Sequence, residues 1–363
     1  MQNILDIIEA RDNLFLKELS LCKESGYKTY IYGGREGAAN IEKRLKTLNF
    51  THSGKVINKK YGLSNEQAGI FYLEDILNTT NDKINLIIGF RGYHSNILDS
   101  YKDKLHIIIN CDCFAGNYSA DPEIMTTEYI SEHNEDLCSV YNSLSDDLSM
   151  RSLIAYINQK ISMDYKYLKE VKVPNQYFDK DIISLTDNEV FIDCGAYNGD
   201  SAMSFIEELH ARDIHSYKRI ISFEPDPYNF KGLCDRHLDN HITINKGTSD
   251  KKEILHFSIS ETSSSINEDG EIIIETDTID NVLNGEEATF IKMDIEGAEL
   301  ASLKGARDTI MKSKPKLAIC IYHKREDLWT IQQYIQSIVP EYKFYIRAYE
   351  DTATELVLYA VIK

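Results

Sequence analysis

Lys292, Asp294, Glu296 and His323 are the side chains in this sequence best suited to proton chemistry, and each lies at or just past a run of strand formers. In Phe290-Ile291-Lys292-Met293-Asp294-Ile295-Glu296-Gly297-Ala298-Glu299 the charges alternate along one face of a predicted strand end. Charge at such a place is costly unless it is paired or used. The segment Ile319-Cys320-Ile321-Tyr322-His323-Lys324 ends in the same way. An unperturbed histidine titrates near pH 6.5, which suits general-base work beside a carboxylate. Two assignments are open: His323 as base, oriented by Asp294 or Glu296, or Asp294 as base with His323 binding the acceptor. Lys292 would neutralise the carboxylates or position an acidic sugar. Asp294, Glu296 and His323 also offer ligands for Mg2+ or Mn2+, but no second aspartate pair completes such a site and no metal is expected.

A second group of polar residues reads as a cradle. Val190-Phe191-Ile192 is an apolar strand, followed by Asp193-Cys194-Gly195-Ala196-Tyr197-Asn198-Gly199 and a helix start at Asp200-Ser201. Such a turn holds a polar cofactor at the carboxyl end of a parallel strand. Its Gly-x-x-x-Gly spacing is not the dinucleotide fingerprint. Asp193 suits an amino group, and amides from Ala196 to Gly199 with Ser201 suit a carboxylate. Glu224 and Pro225, in Ser222-Phe223-Glu224-Pro225-Asp226, follow a second strand, where an acid can accept from both ribose hydroxyls. Ser249 and Asp250 follow a third and are candidates to meet an adenine amino group, although Gly-x-Ser-Asp is also an ordinary turn.

These residues require an open parallel sheet to bring them together. With 363 residues, two α/β halves are expected: residues 1–127, a helical bridge over 128–180, and residues 181–363. The first half alternates strands near Lys28–Tyr32, Lys55–Asn58, Asn85–Phe90 and Leu105–Asn110 with helices. Its cluster Gly33, Gly34 and Gly37 is a partial dinucleotide motif with Tyr32 at the first position and no following acid. A structural or acceptor-recognition role is favoured there over NAD binding. The second half has seven expected core strands, an inserted hairpin near Glu253–Ser260 and Glu271–Thr276, a helix over Ala298–Lys312, and an antiparallel ending. That is the plan of a class I methyltransferase sheet.

Composition narrows the partners. A net charge of −18 opposes nucleic acid and anionic membrane surfaces, and no apolar run is long enough to span a bilayer. The N-terminus lacks a signal-peptide pattern. Seven scattered cysteines, including Cys111 and Cys113, read as buried thiols of a reducing, cytoplasmic protein. A homo-oligomer is compatible with all of this.

Together the motifs Phe191-Ile192-Asp193-Cys194-Gly195-Ala196, Ser222-Phe223-Glu224-Pro225, Lys292-Met293-Asp294-Ile295-Glu296-Gly297-Ala298-Glu299 with Leu303-Lys304-Gly305-Ala306, and Tyr322-His323 resemble the FkbM-type methyltransferase family. The resemblance covers roughly 176–363. It implies S-adenosylmethionine as methyl donor and a hydroxyl acceptor, commonly on a sugar or small biosynthetic product. The first half resembles the Rossmann-like extension of some bacterial members, often near surface-polysaccharide biosynthesis. An NAD-dependent enzyme or a non-catalytic nucleotide-binding protein are the competing expectations.

Overall fold

The computed structural model describes residues 3–61, 64–65, 68–90, 95–110, 125–259, 264–266 and 272–362. The chain divides into two compact units: Glu9–Tyr118 with Asn158–Tyr165, and Met1–Ile8 with Ser119–Ile157 and Lys166–Lys363. One boundary of the division, between Ile157 and Asn158, falls within the helix Asp147–Ser162.

The first unit is built on β1 (Thr29–Tyr32), β2 (Lys55–Ile57), β3 (Ile70–Tyr72), β4 (Ile84–Ile88) and β5 (Leu105–Asn110). They form a parallel sheet in the order β3-β2-β1-β4-β5. Every residue of β1 and β4 is buried, as in a strand covered on both faces. The three-residue edge strand β3, only half-buried, was too short to be read from the sequence. Gly33 follows β1 with φ +149°, and a Cβ there would lie 3.0 Å from the carbonyl oxygen of Gly89. Close backbone approach between the ends of β1 and β4 therefore explains this glycine without a bound dinucleotide.

The second unit carries the remaining strands: β6 (Val190–Cys194), β7 (Arg219–Phe223), β8 (His241–Ile244), β9 (Gly247–Thr248), β10 (Ile254–Ile259), β11 (Ser264–Ile266), β12 (Ile272–Asp277), β13 (Phe290–Met293), β14 (Lys316–Cys320), β15 (Lys343–Ala348) and β16 (Leu356–Val361). Among the described residues they make a seven-stranded sheet, β15-β16-β14-β13-β6-β7-β8, with only β16 antiparallel to its neighbours. This is the class I methyltransferase sheet, with the expected antiparallel ending. The expected hairpin is larger than a hairpin. It is a four-stranded sheet, β11-β10-β12-β9, in which Gly247–Thr248 pairs in parallel with β12 instead of forming a simple turn.

Aromatic packing fixes the centre of the large sheet. Phe191 of β6 stacks on Phe205 of the helix Asp200–Ala211 at 4.8 Å between ring centroids, and Phe178 and Phe290 close the cluster. Tyr177 and Phe178 enter this core from the segment before β6. The single helix expected over Ala298–Lys312 is two, Glu299–Lys304 and Arg307–Ser313. The Asp280 carboxylate accepts hydrogen bonds from the amides of Asp308 and Thr309 at 2.9 and 2.8 Å, capping the second helix from another element. Helices Thr127–Glu132, Asn134–Ser143 and Asp147–Ser162 occupy the expected helical stretch, and Asp146 caps the third by accepting from the amide of Ser149. Cys22, Cys138, Cys194 and Cys320 are buried free thiols, while Cys111 and Cys113 lie outside the described residues. Among the described residues no helix is long and apolar enough to cross a membrane.

Candidate functional site

The carboxyl ends of β6, β7, β13 and β14 lie side by side, so Asp193, Glu224, Asp294 and His323 come to one edge of the sheet. Asp193 is wholly buried, next to Lys292 of the adjacent strand, with 3.1 Å between Lys292 Nζ and Asp193 Oδ1. Lys292 also donates to the carbonyl of Gly195 at 2.8 Å. Burial works against the ammonium, and the Asp193 and Asp294 charges hold it protonated nonetheless. Lys292 is therefore a buried strut between two strand ends, with its head group turned to protein atoms, and the expectation that it positions an acidic sugar is replaced by its charge-neutralising role. Asp193 Oδ1 faces the Lys292 ammonium, and Oδ2 has no hydrogen-bond partner among the described residues. A buried carboxylate left in that state is costly and matches a ligand's ammonium group.

The turn after β6 is tied tightly to the fold. Gly195 has φ +78°, and a Cβ there would lie 1.9 Å from the carbonyl oxygen of Asp294. We predict that Gly195→Ala lowers stability by about 2–4 kcal/mol through steric overlap and left-handed backbone strain, measured by urea unfolding. Of the amides from Ala196 to Gly199 expected to receive a carboxylate, three are engaged within the protein. Ala196 N donates to the Phe223 carbonyl, Tyr197 N to Glu224 Oε2 at 2.8 Å, and Gly199 N to the Ala196 carbonyl. Internal bonding of the turn takes up these donors. Asn198 receives the Arg236 guanidinium at its carbonyl and side chain, and Ser201 is buried in the first turn of the helix.

Glu224 follows β7 and is buried. Its Oε1 accepts from the amide of Asp226 at 2.9 Å and its Oε2 from Tyr197. Burial pushes this carboxyl up to about 7, against those two amides. Each oxygen retains a second lone pair, so hydroxyl recognition remains available to it. Pro225 continues the chain toward Asp226, which caps the helix Pro227–Cys234. Ser249 is buried after β9, donating its amide to the Asp277 carbonyl and its hydroxyl to Asp250 at 3.4 Å.

The charged cluster centres on His323, which is 1% exposed. Its Nδ1 lies 2.9 Å from Glu299 Oε1, and its Nε2 lies 3.4 Å from Asp294 Oδ1 and 3.8 Å from Glu296 Oε2. Burial alone would lower the imidazole pKa; Glu299, then Asp294 and Glu296, override burial and bring it up to about 10. Glu299 was read from the sequence only as a helix start. It also accepts from the amide of Ile295 at 2.9 Å, anchoring the loop after β13, where Glu296 and Gly297 both have positive φ. Asp294 accepts from the hydroxyls of Tyr177 and Tyr322, each at 3.0 Å. Burial opposes its ionisation, but Lys292, His323 and the two hydroxyls bring its pKa below the ordinary carboxylate value.

Sequence reasoning missed Tyr177, Gln176 and Glu355. Gln176 Nε2 donates to Glu355 Oε2 at 2.5 Å. No local motif marks these residues. Their nearness follows from the antiparallel return of β16, which brings the start of that strand beside the end of β14.

The fold and this edge of the sheet together define a class I methyltransferase architecture. The methyltransferase FkbM domain family model matches residues 193–348. Methyltransferase FkbM from Methylobacillus flagellatus KT has the same fold, with a TM-score of 0.73 and 23% identity over 96% of this chain and 94% of that one. Two further solved structures are more distant. A methyltransferase from Streptococcus mutans in complex with SAH has a TM-score of 0.31 and 12% identity, over 50% of this chain and 91% of that one. The SAH-bound Podospora anserina methyltransferase PaMTH1 has a TM-score of 0.29 and 11% identity, over 75% and 97%. No curated protein matches the sequence.

Proposed function

We propose that this chain transfers the methyl group of S-adenosylmethionine to a hydroxyl of a sugar or glycan precursor. The observation that carries the reading is Asp193, a buried carboxylate paired with Lys292 through one oxygen and unpartnered at the other, one strand away from Glu224. In this reading Asp193 takes the donor's ammonium group and Glu224 its ribose hydroxyls, with Asn198 and Ser201 at the turn and Ser249 and Asp250 toward the adenine. When bound, the donor supplies a sulfonium-activated methyl group. What remains for the protein is alignment of the acceptor, which provides at most about 7–11 kcal/mol, and removal of its proton. Asp294, Glu296 and the Tyr322 hydroxyl border the space beyond β13 and β14 where an acceptor would lie.

The test is incubation of the purified chain with methyl-labelled S-adenosylmethionine and fractionated cell glycans. Label in a glycan fraction, stable to base as an ether is, is the expected outcome, unchanged by EDTA. Label appearing only in base-labile esters or in protein would overturn the hydroxyl assignment.

A further inference from the structure

The two side chains best placed by the sequence to take the acceptor's proton are poorly suited to it in the folded protein. His323 is enclosed by Glu299, Asp294 and Glu296 and already holds its proton, so it cannot take another. Asp294 has both oxygens engaged, Oδ2 by Tyr177 and Oδ1 by Tyr322 and His323. A carboxylate so stabilised is a weak base.

Glu355 is different. It precedes β16, whose antiparallel pairing with β14 sets Val357 opposite Cys320 and brings Glu355 to the edge of the sheet that holds Asp294. Single oxygens of Asp294 and Glu355 and the Cys320 sulfur lie within 4.8 Å of one another. Glu355 is half-buried, and the bond from Gln176 is the one hydrogen bond its carboxylate receives among the described residues. Its other oxygen is thus available to a substrate.

Resting on the methyltransferase reading above, we propose that Glu355 is the catalytic residue that takes the acceptor's hydroxyl proton, with Gln176 positioning it and the Asp294 carboxylate beside it. The acceptor oxygen forms its bond to the methyl carbon while the carbon–sulfur bond breaks and its electron pair stays on sulfur. The hydroxyl proton passes to Glu355. The positive charge of the donor and the negative charge of the carboxylate vanish together, leaving a methyl ether, a thioether and a carboxylic acid. Burial, then the Asp294 charge, push the Glu355 carboxyl up to about 8, with Gln176, His323 and Lys292 working the other way. The groups facing it are Asp294 and Lys292 from β13 and its end, Cys320, Tyr322 and His323 from β14 and its end, and Gln176 and Tyr177 from the segment before β6. Ionisation of Glu355 therefore increases through pH 8, and transfer should rise over the same range.

The test compares wild type, Glu355→Gln and Asp294→Asn, each loaded with S-adenosylhomocysteine and carrying 13C-labelled glutamate. A glutamate carboxyl titrating near pH 8 should vanish in Glu355→Gln and move down in Asp294→Asn. Glu355→Gln should bind S-adenosylhomocysteine within about twofold of wild type. Its labelling of the glycan fraction that wild type methylates should fall about 10²–10⁴-fold, the usual size of general-base help. A Glu355 resonance titrating in the ordinary range near pH 4.3 would overturn the proposal, as would wild-type labelling by Glu355→Gln. Failure of the wild type to bind S-adenosylhomocysteine at all would instead overturn the methyltransferase reading, and this proposal with it.

Discussion

Replacing Lys292 by methionine is expected to lower the stability of this protein by about 3–5 kcal/mol, the cost of leaving a buried charge without its partner. The ammonium joins Asp193 to the carbonyl of Gly195 inside a region closed to water. Without it, Asp193 either stays charged and unpaired or takes up a proton, and neither state suits a donor carrying an ammonium group. Binding of S-adenosylhomocysteine should therefore weaken at least tenfold, about 1.4 kcal/mol or more. A double variant, Lys292→Met with Asp193→Leu, separates the two effects. Removing both charges should restore most of the stability, because a buried ion pair is often replaceable by apolar groups. Donor binding should not return, since Asp193 is gone. Urea unfolding and calorimetry measure the two quantities on the same samples. A single variant as stable as wild type would mean that the pair is more hydrated than its burial indicates.

The second large effect concerns His323. His323→Ala should cost about 3–5 kcal/mol at neutral pH, because the wholly buried Glu299 carboxylate loses its cation. The loss should also depend on pH in a defined direction. The folded-state pKa is raised to about 10, and an unfolded histidine titrates near 6.5. Between these values the folded chain holds a proton that the unfolded chain has released. The stabilisation by His323 is therefore complete below pH 6.5 and lost as pH rises toward 10, by up to about 1.4 kcal/mol per unit. Glu224 and Glu355, raised to about 7 and 8, add a slope of the same sign between the usual glutamate range and those values. The His323 charge itself lowers Glu355, so wild type and His323→Ala are compared in the Glu355→Gln background, where the difference over pH 7–9 reports the histidine. That difference should shrink with rising pH. A constant difference would show that His323 is neutral in the folded state and would restore it as a candidate base.

The core strands were readable because their burial leaves a simple trace. Val190-Phe191-Ile192 and Leu317-Ala318-Ile319-Cys320-Ile321 are continuous apolar runs ending in polar turns, and parallel strands covered on both faces must look like this. Asp193, Asp294 and His323 were legible for the same reason: each is a charge where the apolar run gives way, at the edge where such sheets bind ligands. What could not be read was how the charges are satisfied. That Lys292 turns toward Asp193, and that Glu299 takes His323 as its partner, depends on which side chains the strand register brings within reach. Gln176, Tyr177 and Glu355 were hidden more deeply, since their meeting requires an antiparallel return and an irregular turn segment without periodicity. The small sheet around β9 was hidden because a two-residue strand has no pattern of its own.

The central claim is that the ends of β6, β7 and β13 form the binding site for the methyl donor. Calorimetric titration of S-adenosylhomocysteine into wild type, Asp193→Asn and Glu355→Gln tests it most directly. The account predicts one site in the wild type, at least tenfold weaker binding for Asp193→Asn, and near-wild-type binding for Glu355→Gln. Absence of binding by the wild type, or an Asp193→Asn variant that binds as tightly as wild type, would contradict it.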